Sequence, residues 1–258
     1  MKDAKCVSTG FLTIQGGCYA AFLFLDMTGG SIRLSTGIKF SIILFCFLYA
    51  LLRRGGNGIR DLFLVRSALF FTLVSDFIIL FLPAEAYIFG VGSFLIVQQL
   101  YGIRLRGIDN LRRGIPEKNG FLGSFLLRLT TELVITLIVL LGLFIAEVRA
   151  DSLLFTSVLY FVCLVHNVVT AIRLANLKPR VISDIIFAVG LVLFLLCDIN
   201  VGLFNLSGFI PFTGKTAELI YRMATILMWT FYAPSQVMIV LSADRYPSKI
   251  TKNCKKIM

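Results

Sequence analysis

Histidine is almost missing from this chain: His166 is the only one among 258 residues. A zinc site built from several histidines, of the kind some membrane hydrolases use, is therefore excluded. Cysteine offers no replacement, because none of the six forms a C-x-x-C pair. Four of them (Cys18, Cys46, Cys163 and Cys197) fall inside apolar runs and read as small packing residues. The sequence thus calls for no metal and no cofactor. Charge is scarce as well, at 15% of residues against 58% hydrophobic, with a mean hydropathy of +0.89. A soluble chain of this length has to face water with its outer layer and cannot hide that much apolar surface. Short segments alternating apolar and polar residues, the mark of a membrane barrel, are also lacking.

What the chain does have is long unbroken apolar runs, such as Leu133–Ala146 and Ile185–Cys197. Backbone groups in lipid must bond within their own segment, so these runs read as transmembrane helices. Spans of about 20 residues are expected near Phe11–Leu25, Ile38–Leu52, Leu62–Leu82, Ala84–Leu105, Phe121–Ala146, Ser152–Leu174, Ser183–Leu203 and Ala217–Ser242. The fold class is all-α, an eight-helix membrane protein. The connections are too short for a soluble domain, so residues 1–258 form one unit with a basic tail over about 243–258.

A net charge of +11 alone is compatible with nucleic acid, but its placement is not. Eighteen Lys/Arg fall at the two termini and in the loops after spans 2, 4 and 6. Four (Arg33, Lys39, Arg149 and Lys215) fall on the opposite side, and Arg66, Arg128 and Arg222 lie within spans. This is the positive-inside bias of an even-numbered bundle with both termini cytoplasmic, in the plasma membrane if the host is bacterial. The tail lysines Lys249, Lys252, Lys255 and Lys256 suit anionic lipid head groups. The bilayer, not a nucleic acid, is the partner this pattern implies.

Ionisable residues in the hydrocarbon region are costly, and each is a functional candidate. Asp76 and Asp198 lie five or six residues from the far end of spans 3 and 7, which run in the same direction. They should share one layer and can meet if the helices are neighbours. Arg222 is expected in that layer, either holding a phosphate or pairing with Glu218. Gln98 with Tyr101 on span 4, and Tyr232 with Gln236 on span 8, share helix faces and can line a pocket or simply join helices. Arg128 with Glu132, and His166 with Thr170, are further pairs at i, i+4. The run Leu69–Asp76 echoes Leu191–Asp198, each followed by a short loop and a helix carrying Tyr and Gln. Spans 1–4 and 5–8 can thus be two parallel halves, as in some transporters.

The stretch Ser75-Asp76-Phe77-Ile78-Ile79-Leu80, followed by Gly90, Phe94, Gln98 and Tyr101 at their spacing, resembles the paired helices of the YhhN/TMEM86 membrane family, the lysoplasmalogenases. Cys197-Asp198 resembles that family's second Ser-Asp, and Tyr232-x-x-Ser235-Gln236 its Tyr-x-x-Ala-Gln ending. The resemblance covers about residues 40–242 and departs at Gln98, where the family commonly has His. It implies hydrolysis of the vinyl-ether bond of a lysoplasmalogen, a lysophospholipid. Such ethers break by protonation at carbon followed by capture of water, which asks for an acid and a nearby anion, the two-carboxylate logic of glycoside hydrolysis. On this reading Asp76 and Asp198 are the acid pair, and Gln98, Tyr101, Arg222, Tyr232 and Gln236 contact substrate. The same carboxylates would equally serve a transporter or lipid-binding protein, relaying protons or holding a cation. The Lys/Arg asymmetry predicts that a reporter fused after Met258 reads as cytoplasmic; an exported reporter would overturn the orientation.

Overall fold

In a computed structural model the chain is a bundle of eight helices, described over residues 2–53, 59–113, 121–148, 151–177, 181–205 and 215–243. The basic tail falls outside these residues from position 244 onward, as do Arg149 and Cys254. The helices are α1 (Lys2–Thr28), α2 (Ile32–Leu52), α3 (Ile59–Phe81), α4 (Tyr87–Arg113), α5 (Phe121–Ile145), α6 (Ser152–Leu177), α7 (Ile182–Asn205) and α8 (Lys215–Leu241). Each contains a stretch long and apolar enough to cross a bilayer, so the chain is a multi-pass membrane protein. The helices run past the apolar spans expected from sequence, because polar residues extend them beyond the hydrocarbon. α1 and α2, whose apolar runs are the shortest, are 27 and 21 residues long.

Local chemistry sets several helix ends. Ser31 caps α2 by accepting the backbone N–H of Leu34 at 3.4 Å. Asp151 does the same for α6, accepting from Leu154 at 2.7 Å. Pro83 follows the last turn of α3 and starts a short 3-10 turn, Ala84–Ala86, that leads into α4. Arg66 donates to the carbonyls of Ala50, Leu51 and Arg53 at 2.9, 3.2 and 2.7 Å, so this in-span cation satisfies the open C-terminal end of α2.

The packing pattern repeats. In the first half α1 lies on α2, α2 on α3 and α3 on α4; in the second α5 lies on α6, α6 on α7 and α7 on α8. Between halves, α4 packs on α6 and α8 on α2, which are equivalent pairings. A side-chain detail repeats too. Gln15 of α1 donates to the Cys46 sulfur of α2 at 3.4 Å, and Cys163 of α6 donates to Glu132 of α5 at 3.1 Å. α1 and α5 are therefore counterparts, each outside its half, and much of their surface is exposed to lipid.

Two of the cations assigned from sequence to the ends of spans are buried inside helices. Arg104 is buried in α4, where its guanidinium holds Asp61 of α3 at 2.7 Å, the hydroxyl and carbonyl of Ser242 near the end of α8, and the Phe187 ring face at 4.3 Å. Lys39 is buried in α2 and pairs with Asp26 of α1 at 2.7 Å. Arg104 ties four helices at one end of the bundle, so Arg104→Met should leave Asp61 unpaired and cost about 3 kcal/mol or more. Thermal unfolding in detergent should show a lower midpoint for Arg104→Met and partial recovery in Arg104→Met with Asp61→Leu. An unchanged midpoint in the single variant would mean the four-helix tie carries no stability.

Candidate active site

Asp76 and Asp198 are positioned by two close helix pairs. α3 and α4 approach where Gly90 lies against Ile79, whose side chain would meet an added Cβ at 2.7 Å. Ser75, next to Asp76, donates to the Gly90 carbonyl at 2.7 Å and fixes the register of that pair. α7 and α8 approach where Gly190 faces Ile239 and the Ser235 carbonyl, 3.0 and 3.2 Å from where a Cβ would stand. A larger residue at either glycine would push apart the helices that present the carboxylates.

Each carboxylate is held by a phenol from another helix. Tyr232 of α8 donates to Asp76 at 2.7 Å, and both side chains are buried. Tyr160 of α6 donates to Asp198, which is half-buried. The two Tyr–Asp pairs face a common aromatic cluster. The Phe94 ring of α4 lies 5.8 Å from the Tyr160 ring, 6.3 Å from the Tyr232 ring and 5.7 Å from Phe194. Trp229 packs edge-on against Tyr232 at 5.2 Å. The two phenols that hold the carboxylates thus flank one aromatic cluster drawn from α4, α6, α7 and α8.

The other residues expected at the site divide. Tyr232 touches a carboxylate. Gln98 is fully buried but one turn further along α4 than Phe94, about 6 Å along the axis. Its side-chain oxygen and its backbone carbonyl both accept from Asn167 of α6, at 2.9 and 2.8 Å. Tyr101 is a turn deeper again, its ring edge-on to Phe187 at 5.5 Å and its hydroxyl beside Thr72. Gln236 is buried one turn from Tyr232, with its amide 3.4 Å from the Ser235 hydroxyl. The structure does not bring Gln98, Tyr101 or Gln236 to the carboxylates.

Arg222 does not join them either. It is exposed, and the adjacent Tyr221 stacks on Phe204 at 4.4 Å, six residues and about 9 Å beyond Asp198 along α7. The reason is an offset: the first turns of α8 extend past the level at which α3 ends, so depth counted from the start of span 8 places Arg222 too low. The cation nearest the aromatic cluster is Lys39, whose ammonium lies 5.3 Å from the Trp229 ring centre. Sequence reasoning also missed Tyr160. No ionisable neighbour in span 6 marks it, and only the packing of α6 on α7 reveals its partner.

A second polar group sits between α4, α5 and α6. Glu132 is fully buried and accepts from Arg128 at 2.7 Å, Gln99 at 3.0 Å and Cys163 at 3.1 Å, with the His166 ring at 3.0 Å. Arg128 also donates to Asn167 at 2.9 Å, so Asn167 links this group to Gln98. The Arg128–Glu132 pair read from sequence is present, but His166 turns to Glu132 instead of Thr170. No group of three or more His, Cys, Asp or Glu placed to hold a metal occurs among the described residues.

A family model, that of the YhhN family, matches residues 34–243, from the start of α2 to just past α8. No curated protein and no solved structure matches the chain.

Proposed function

This chain belongs to the YhhN family, and from that premise we propose that it is a membrane-embedded hydrolase that cleaves the vinyl-ether bond of a lysoplasmalogen. The observation that carries this reading is the pair of intramembrane carboxylates, each bound by a phenol whose ring lies against Phe94. In the reaction one carboxyl gives its proton to the vinyl carbon remote from the ether oxygen. The π electrons form the new C–H bond, leaving an oxocarbenium ion that the other carboxylate faces. Water adds at the oxygen-bearing carbon and yields its proton to that carboxylate. The hemiacetal then breaks its C–O bond to give an aldehyde and the glycerol hydroxyl, and the proton balance is restored. The step requires one of the two carboxyls to carry a proton and the other to be ionised.

The phenols orient the carboxylates, because each O–H bond fixes one oxygen and leaves the other for the reaction. The rings exclude bulk water, which strengthens the anion's effect on the cation. Gln98 stands where the family commonly has His, yet its carboxamide is engaged by Asn167. In this chain it acts as a brace between α4 and α6, and the mechanism routes no proton through it.

A second reading, transport of a small cation or protons by the same carboxylates, is favoured by the repeated packing of the two halves. One experiment separates the two. With purified protein in lipid, the wild type should release aldehyde from a lysoplasmalogen. Asp76→Asn and Asp198→Asn should each lower that rate about a hundredfold or more while remaining folded. Full activity in either variant would remove that residue from the mechanism, and no aldehyde from the wild type would favour transport.

A further inference from the structure

The Arg128–Glu132–His166 group leaves part of its bonding capacity unused, and both of its basic members line one pocket. Among the described residues the backbones of α4 and α5 stand apart: α5 leans on α6 and meets α4 through side chains such as Glu132 and Gln99. The gap between α4, α5 and α6 is a pocket of about 160 Å³. Arg106 and Asp109 of α4, Ser124 of α5 and Thr170 of α6 join Arg128 and His166 in the polar part of its wall. It lies toward the end of the bundle where α4 finishes and α5 begins. Gly102 to Asp109, which form its α4 side, stand about 12 to 22 Å beyond Phe94 along that helix. The pocket is thus remote from Asp76 and Asp198 and close to a bilayer surface.

The wall offers more donors than the bundle itself uses. Arg128 commits Nε to Glu132 and Nη2 to Asn167. Its Nη1 has no hydrogen-bond partner among the described residues. That nitrogen lies over Gly102, in the space an added Cβ would occupy, so only glycine there lets the guanidinium sit at this depth. His166 turns Nδ1 to Glu132 at 3.0 Å, and its second ring nitrogen has no partner among the described residues. Two guanidiniums and an imidazole thus line the pocket against a single carboxylate, Asp109, and Arg113 holds that carboxylate at 2.9 Å. Glu132, behind them, is fully buried and already engaged by Arg128, Gln99, Cys163 and His166. Ser124 and Phe125 belong to the first turns of α5, whose N-terminal dipole end adds positive potential.

We propose that this pocket binds a single phosphate group, held by the guanidiniums of Arg106 and Arg128 with the hydroxyls of Ser124 and Thr170 beside them. The assignment follows from the donor set. Planar guanidiniums match the oxygens of a phosphate in pairs, and a hydroxyl donates to a further oxygen. A basic, hydrogen-bonding wall does not suit a hydrocarbon chain. The space is too small for a whole glycerophospholipid and sufficient for its phosphate. A lipid bound there leaves its glycerol and chains outside, against the face of α5 that is exposed to the bilayer. Free inorganic phosphate meets the same donors. Asn167 bonds both Arg128 and Gln98, so an occupied pocket fixes Arg128 and, through it, the brace between α4 and α6. The site stands apart from the hydrolase reading and does not depend on it.

The test follows thermal unfolding of the full-length protein in a non-ionic detergent free of phosphate. One arm adds phosphatidylglycerol in mixed micelles, and the other adds inorganic phosphate. A ligand bound by the folded state alone raises the unfolding midpoint. At least one of the two should do so for the wild type. Arg106→Gln should then raise the half-effective concentration about tenfold, the worth of one hydrogen bond to a charged group. Thr170→Phe, which fills the pocket without removing a charge, should do the same. Arg173→Gln removes an equal charge from an exposed position on α6 outside the pocket and should leave that concentration unchanged. A response to the lipid alone assigns the site to a head group, and a response to inorganic phosphate shows that the free anion suffices. Equal responses in the wild type, Arg106→Gln and Thr170→Phe would overturn the proposal and show diffuse attraction to a basic surface. No response to either ligand would overturn it as well. None of these readouts needs turnover, so the fate of the hydrolase reading does not alter them.

Discussion

A carboxyl group in hydrocarbon has to find a hydrogen-bonding partner, and that constraint organises this bundle. Asp76 and Asp198 cannot face lipid without cost. Each is met by one phenol, Tyr232 and Tyr160, and the two phenols come from helices in the half of the chain that contains α5–α8. To deliver them, α8 must lie near α3 and α6 near α7. The close approaches at Gly90 and Gly190 bring each carboxylate-bearing helix tightly onto its own neighbour. Aromatic rings fill the space beside the two pairs, so the arrangement is held by packing as much as by polar bonds.

The repeat that supplies this symmetry has diverged where the two halves meet lipid. α5 carries Arg128 and Glu132 inward, and their charges are satisfied by Gln99, Cys163, His166 and Asn167. That network braces α4, α5 and α6, and through Asn167 it also holds Gln98. α1 instead presents Gln15, which reaches only the Ile42 carbonyl and the Cys46 sulfur. A neutral amide in place of a buried ion pair leaves the groove between α1, α2 and α8 apolar. One equivalent position holds a buried ion network, and the other a neutral amide beside this apolar groove.

Much of this was legible in the sequence. Hydropathy gave the number of helices and their order, since only a long apolar run can cross lipid. The expectation that Asp76 and Asp198 share a layer rested on about 1.5 Å per residue on two helices that run the same way. Other features depend on how helices are set against one another, which periodicity does not encode. Arg222 was placed by counting from the start of an apolar run, but α8 begins outside the layer that run defines. Lys39 and Arg104 were counted as surface cations because each stands at the edge of its expected span, whereas the helices run several residues past them and bury both. Tyr160 had no signal at all. A tyrosine in an apolar helix is ordinary until a carboxylate from the next helix is found against it.

The account's central claim is that a carboxyl group protonates carbon. Hydrolysis of a lysoplasmalogen by the wild-type protein in D₂O, with the aldehyde reduced as it forms, tests it most directly. Protonation at the vinyl carbon predicts one deuterium at the carbon next to the former aldehyde carbon in every product molecule. An alcohol carrying no deuterium there would contradict the mechanism, because the ether would then have been cleaved without protonation of the double bond.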